Sequence, residues 1–395
     1  MDSRIKHITV ASYAHPELYP PILSALEGLS GQVGQIKVIT RNTLISKWTY
    51  PKNVEIAYVN KKAYYGFGIE HISIGKKIKH FFRFVKMIKS SVIRNSSEIL
   101  IVHDIIPLFT AYLLRRLLKS RNIKLWYHNH DVADQTKSGK YSLMGIAARF
   151  EDKAFKEIDL FTLPSKERLK YFPIERLNSS PIVLPNYPLL SFYSEDEIKT
   201  VHKDQHVIKL VFQGSIGAGH GLEDIIPLLA DNIEGKKLEL HLVGKIREPY
   251  LKLLNNLANE HGVVDYFKYH GIKSFADLPK YLSQFDVGLA IHKPYNVTYT
   301  TGGTASNKIY EYAACGLPVV LFDNNHYRDY LEQFEWTYFT DVSESSLLKV
   351  FSKLKNNLDR DSKKARQDFE LSFNFELSFK RYLEPVLLNL NTSND

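Results

Sequence analysis

A lysine and a glutamate three residues apart, Lys308 and Glu311, lie in the segment Ser306 to Val320, SNKIYEYAACGLPVV. On a helix beginning near Ser306 or Asn307, residues at that spacing share a face. Ser306 is a candidate N-cap, and the helix should stop at Gly316, with Pro318 opening a strand. Lys308 and the exposed N–H groups of the first turn then make an anion site suited to a diphosphate. Glu311, one turn deeper, can accept hydrogen bonds from two neighbouring ribose hydroxyls. The same spacing equally fits a surface ion pair worth a few tenths of a kcal/mol, with Tyr310, Ala313 and Ala314 turned to the core. Spacing alone leaves both readings open.

A second constellation is Val207 to Leu222, VIKLVFQGSIGAGHGL, a strand running into four glycines and then a helix. Glycine there lets backbone approach a phosphate, or simply forms a hinge. Gly217, Gly219 and Leu222 do not make G-x-G-x-x-G, and no Gly-Lys-Ser/Thr follows, so neither a dinucleotide dehydrogenase nor a P-loop ATPase is supported. His220 would be partly charged at neutral pH, and a neighbouring anion would favour the charged form. Earlier in the chain, LWYHNHD places His128, His130 and Asp131 just past a strand's carboxyl end, with His103-Asp104 a weaker parallel. They read either as catalytic groups or as solvated loop residues. A zinc site is not expected, because no cysteine or further histidine falls at ligand spacing. The one Asp-x-Asp, Asp359-Arg-Asp361, reads as surface. His15 is a candidate to face an acceptor, and Asn186 in LPNYP reads as a turn residue.

The elements that must carry these groups alternate short β-branched runs with amphipathic segments, the pattern of parallel sheets flanked by helices. One strand series comprises 7–11, 36–40, 54–59, 99–102, 124–127 and 160–162; a second comprises 208–212, 238–243, 266–270, 287–291, 318–322 and 336–339. Prolines and an acidic run within Leu184 to Gln205 separate them. The expected organisation is α/β, two doubly wound Rossmann-like domains facing across a cleft: 1–188, 189–374, and a C-terminal helix at 375–395 packing back on the first domain. In such sheets ligands collect at the carboxyl ends of the strands.

Taken together, these motifs resemble the retaining GT-B glycosyltransferases of family four, also called group 1. Glu311-Tyr-Ala-Ala-Cys-Gly-Leu-Pro-Val319 echoes that family's Glu-Ala-Met-Ala-Cys-Gly-x-Pro-Val, and FQGSIGAGHG, LELHLVGKI and YHGIKSFADLPKYLSQFDVGLAI follow its order. The resemblance covers residues 207–322 well and the first half loosely. It implies transfer of a sugar, hexosyltransferase-type, from a nucleotide-diphosphate sugar to an acceptor hydroxyl with retention, in cell-surface polysaccharide or lipid-linked glycan synthesis. Gly214, Ser215, His220, Lys245, Ser306, Lys308 and Glu311 would hold the donor, with backbone near Gly271 and Ile272 against the base. His130 and Asp131 would act on the transferred sugar. No metal and no cofactor beyond the nucleotide-sugar co-substrate is implied. The chain departs from the family at Gly303, where a glutamate is usual, and at Ser215 and His220, where Arg and Lys are usual. Two rival readings follow: a nonhydrolysing nucleotide-sugar epimerase, and a noncatalytic nucleotide-binding partner of a glycan assembly complex.

Of the 395 residues, 44% are hydrophobic and 24% charged, enough for two cores. No signal-peptide pattern and no 18-residue apolar run occurs. With a single cysteine, Cys315, this points to a cytoplasmic protein. The net charge of +9 is uneven: residues 1–200 hold 30 Lys and Arg against 18 Asp and Glu. Much of the excess lies in residues 74–94, where a helix would put Ile74, Ile78, Phe81, Phe82, Val85, Ile88 and Val92 on one face and Lys77, Lys79, Arg83, Lys86 and Lys89 mostly on the other. Such a helix either packs on the core with a solvated basic face or rests on an anionic membrane surface. The second reading implies peripheral placement on the inner face of the cell membrane and a lipid-linked acceptor. Nucleic acid is not an expected partner, since no recognition motif accompanies the charge.

Overall fold

The computed structural model describes residues 5–43, 48–63, 72–132, 139, 141–195, 198 and 206–392. They divide into two compact units, Met1–Pro185 with Phe375–Asp395, and Asn186–Asn374. The first division falls three residues ahead of the expected 188/189. Of the expected connection, residues 196, 197 and 199–205 lie outside the described residues.

In the first unit β1 (Ile5–Ser12), β2 (Val33–Thr43), β3 (Val54–Ala63), β4 (Ile99–His103), β5 (Lys124–His128), β6 (Leu160–Leu163) and β7 (Ile182–Val183) form one sheet in the order β3-β2-β1-β4-β5-β6-β7. Every pairing is parallel. The connections include α1 (Pro20–Ser30), α2 (Ile74–Arg94), α3 (Ile105–Ser120) and α4 (Leu143–Phe155). Strands β4, β5 and β6 are buried on both faces, which explains their unbroken apolar runs. Their register aligns Ser12 with His103, His103 with His128, and His128 with Thr162. The carboxyl ends of four strands therefore lie side by side.

Helix α2 departs from the expected single apolar face. Phe81, Phe84, Ile88 and Val92 are buried, whereas Ile74, Ile78 and Phe82 are 75%, 53% and 64% exposed. The two sets are separate stripes: 81, 84, 88 and 92 follow the 3–4 spacing of a core face, and 74, 78 and 82 follow an i, i+4 line beside it.

In the second unit β8 (Val207–Ile216), β9 (Asn232–Ile233), β10 (Lys236–Ile246), β11 (Phe267–Tyr269), β12 (Val287–Ala290), β13 (Val319–Phe322) and β14 (Thr337–Thr340) form a sheet ordered β11-β10-β8-β12-β13-β14, with β9 antiparallel on β10. The other pairings are parallel. Around it lie α5 (Leu222–Ile225), α6 (Glu248–Glu260), α7 (Leu278–Leu282), α8 (Val297–Thr300), α9 (Asn307–Ala314), α10 (Asn325–Leu331) and α11 (Glu344–Ser372). Helix α9 presses so closely on the sheet that a Cβ on Gly288 would lie 2.3 Å from the Tyr312 ring. The Tyr312 hydroxyl accepts from the Gln213 N–H at 2.9 Å, tying the helix to the end of β8.

Asp361 corrects the surface reading of Asp359-Arg-Asp361. It is wholly buried, accepts a hydrogen bond from the Tyr338 hydroxyl and lies 2.9 Å from Arg360 Nη2, while Asp359 is exposed. After α11 the chain returns to the first unit as α12 (Phe375–Ser378), a π-helical turn and α13 (Glu384–Thr392). This segment packs on α1: a Cβ on Gly28 would meet the Phe379 ring at 2.7 Å, and Gln32 Nε2 donates to Glu384 Oε1 at 3.0 Å.

Candidate functional site

Lys308 and Glu311 occupy the first turns of α9. Glu311 is only 2% exposed. The Gln213 side-chain amide donates to its Oε2, and its Oε1 is buried with no partner. An unpartnered buried carboxylate oxygen is costly, so this atom is a standing acceptor for a ligand hydroxyl. Burial pushes the Glu311 carboxyl up to about 7, opposed by the Gln213 hydrogen bond and the Lys308 charge. The surface ion-pair reading is thereby excluded. Lys308 Nζ sits 3.9 Å from the Phe212 ring centroid, and a Cβ on Gly214 would lie 3.9 Å from it. Burial lowers the ammonium to about 7. A bound anion would reverse that shift.

Around this pair the Gly-rich turn is built as a close-approach loop. Gly214, Gly219 and Gly221 have φ of 111°, 92° and 68°. A Cβ on Gly219 would strike the Tyr295 ring at 2.7 Å. Gly244 faces Gly214 across the β8–β10 ladder, and a Cβ there would fall 1.9 Å from the Gly214 carbonyl oxygen. Glycine is therefore obligatory at 244. The next pair in register, Lys245 and Ser215, is exposed. Gly271, with φ 68°, accepts at its carbonyl from the Gly244 N–H at 2.8 Å, and Ile272 is 63% exposed.

His220 does not behave as the sequence suggested. Its Nδ1 accepts from the Gly217 N–H at 3.1 Å, and its Nε2 lies 3.0 Å from the Tyr299 hydroxyl. Burial first, and then the Lys308 charge, hold its pKa down to about 3. Without a ligand it is a neutral brace for the turn. Ser306 stands at the N-cap position but makes no side-chain capping bond. The buried Asn307 Oδ1 also has no partner, which leaves that helix end polar and unspent. Asn186 is more than a turn residue: its N–H and Nδ2 donate to the Thr304 and Ala305 carbonyls, both at 2.9 Å, fixing the loop that enters α9.

A side chain at Gly303 would have to displace a neighbour. A Cβ would approach His326 Nε2 and the Tyr330 ring, each at 2.9 Å, and the Gly303 N–H donates to His326 Nε2 at 2.7 Å. The side chains of His326 and Tyr330 stand where the resembled family carries a glutamate.

In the first unit, His103, His128 and His130 are all buried, and one ring nitrogen of each lies within 4.8 Å of the others. The expectation that no further histidine falls at ligand spacing is thus wrong, because β4 brings His103 beside β5 from 25 residues upstream of His128. His103 Nδ1 is 3.1 Å from His130 Nε2. Burial depresses all three imidazoles, His128 to about 3. Asp131 is exposed, with Oδ1 3.6 Å from Nη1 of the buried Arg168. That guanidinium also donates to the His130 carbonyl at 2.5 Å. His15 accepts from the Glu17 N–H and stacks on Tyr58. Arg168, Gln213, Gly244 and Tyr299 escaped the sequence reading. Only Gly244 carried a signal, as a glycine at the end of a strand-like run.

Residues 208–346 match the model of the family described as Glycosyl transferases group 1. No curated protein matches the sequence. Among solved structures, sucrose-phosphate synthase from Thermosynechococcus elongatus aligns at TM-score 0.71 and 13% identity over 99% of this chain and 100% of that one. Anabaena Alr3699/HepE in complex with UDP and glucose aligns at 0.62 and 14%, covering 98% of each chain. UDP-GlcNAc 2-epimerase from Neisseria meningitidis bound to UDP-GlcNAc aligns at 0.60 and 10%, covering 98% and 100%. The fold is GT-B, with two sheets of parallel strands. The stretch similar to the group 1 glycosyltransferase model lies within its second unit.

Proposed function

We propose that this protein is a glycosyltransferase that moves a sugar from a nucleotide-diphosphate sugar to an acceptor hydroxyl with retention. The observation that carries this reading is the Glu311 Oε1 atom, buried and unpartnered on the same helix turn as Lys308. Glu311 takes the ribose hydroxyls. Lys308 and the uncapped first turn of α9 take the diphosphate and stabilise the charge that builds on it as the glycosidic bond breaks. Such electrostatic work needs no divalent ion at the donor site. Uridine is the base to test first, since Alr3699/HepE carries UDP. Thermal shift with UDP, GDP, ADP and CMP sugars tests the reading; a shift with none of them sinks it.

For the acceptor we propose a lipid-linked glycan of cell-surface polysaccharide synthesis. Ile74, Ile78 and Phe82 form an exposed apolar line on α2, among the exposed Lys76, Lys79, Arg83, Lys86 and Lys89. Among the described residues no helix is long and apolar enough to cross a membrane. A surface-lying helix would gain about 1 kcal/mol for each basic side chain near anionic lipid. Flotation with phosphatidylglycerol vesicles, and not with phosphatidylcholine vesicles, is the expected result.

The likeness to the epimerase keeps one rival reading in play. Incubating donor without acceptor separates the two: an isomerised sugar favours the epimerase, and an unchanged donor favours transfer. Tight donor binding without turnover on any lipid-linked acceptor would instead favour a noncatalytic partner.

A further inference from the structure

We propose that His103, His128 and His130 form a binding site for a divalent first-row transition ion, Zn²⁺ foremost, at the carboxyl edge of the first sheet. Three neutral imidazoles are the donor set such ions prefer, and a three-histidine site leaves a fourth position open to water or a ligand. Zn–N bonds of about 2.0–2.1 Å place tetrahedral ligand nitrogens roughly 3.4 Å apart. The His103 Nδ1–His130 Nε2 separation of 3.1 Å is close to that spacing, and a nitrogen of the third ring lies within 4.8 Å.

The site is built into the fold rather than gathered on a surface. Strand register sets His103 opposite His128, and His130 follows two residues on. The three residues are 2%, 2% and 4% exposed. His128 Nδ1 is buried with no hydrogen-bond partner, which an imidazole serving only as a structural polar group would not leave unmet.

The charge balance also favours a cation. Arg168 lies beside His130, but Asp131 faces it at 3.6 Å. Asp104, adjacent to His103, has a buried Oδ1 without a partner. This inference rests on different atoms from the donor reading, so either can fail alone.

The test strips the full-length protein with chelator, reloads it with Zn²⁺ or Co²⁺, and measures metal content by mass spectrometry. One ion per chain is expected, with the visible bands of a four-coordinate Co²⁺ centre. His128→Ala and His103→Ala should each lower bound metal at least tenfold, while His261→Ala, at an exposed helix end, should change nothing. Metal lost in His270→Ala but kept in His128→Ala would move the site to the His241–His270 pair and overturn the proposal. If the cluster variants do not fold, X-ray absorption of the Zn²⁺-loaded wild type decides. A shell with three imidazoles supports the site; an oxygen shell, or binding well below one ion per chain, rejects it.

Discussion

The Gln213 side-chain amide holds one oxygen of Glu311 and leaves the other unclaimed. Gln213 lies near the carboxyl end of β8 and Glu311 on α9, so a contact across 98 residues sets the direction of the proposed ribose acceptor. Glu311→Ala should weaken donor use by roughly 10- to 100-fold, from about 1–3 kcal/mol for each unmet partner. Gln213→Ala should cost less, since the carboxylate remains but is no longer oriented. Titration calorimetry with UDP-glucose and its competitors measures both; equal affinities for Glu311→Ala and wild type would remove ribose recognition from this residue.

Lys308 and Glu311 both titrate near pH 7 without ligand, one lowered and the other raised by burial. A bound nucleotide-diphosphate sugar, which has no phosphate proton to lose in this range, favours the charged form of each. Binding at pH 8 should therefore take up a proton on Lys308, and binding at pH 6 should release one from Glu311. Affinity should fall as pH rises beyond 7. Calorimetry in buffers of different ionisation enthalpy reads the proton count; Lys308→Met should abolish uptake and leave release.

Neutral burial of His220 and His292 makes the second unit acid-sensitive. Both folded pKa values lie below the ordinary 6.5, His220 at about 3. The unfolded chain then binds more protons below pH 6.5, so stability is complete above that pH and is lost as pH falls. For His220 alone the loss at pH 5 is about 2 kcal/mol. Melting temperatures between pH 7.5 and 5 should fall, and the fall should be shallower in His220→Gln.

Restoring a glutamate at position 303 should not restore a donor contact. His326 and Tyr330 already occupy the space, and overpacking of this kind costs about 1–3 kcal/mol. A lower melting temperature with no gain in turnover is expected for Gly303→Glu. Unchanged melting together with faster transfer would mean that the loop opens for the side chain.

The packing of the C-terminal segment is testable at Gly28. A methyl there meets the Phe379 ring at 2.7 Å and Phe375 at 3.0 Å. Gly28→Ala should speed hydrogen exchange in 375–392 while leaving the second sheet protected.

Much of this arrangement was legible in the chain itself. Alternating buried strands and amphipathic helices announce parallel α/β units, because a strand covered on both faces must be apolar throughout. Lys308 and Glu311 were readable because a helix fixes the geometry of residues three apart. What spacing could not convey was burial: it turned Glu311 from a possible surface partner into an isolated acceptor, made His220 neutral, and buried Asp361. On α2 periodicity found the helix but merged two apolar stripes that only packing separates.

The sequence by itself determined the element types, the two-sheet plan and the pair on α9, all consequences of local periodicity and short-range spacing. Tertiary structure alone decided which distant residues meet. Parallel register set His103 beside His128, the β8–α9 contact gave Glu311 its one partner, and His326 filled the space at Gly303. Each joins segments whose separation along the chain carries no geometric information until a strand ladder or a packed helix fixes it.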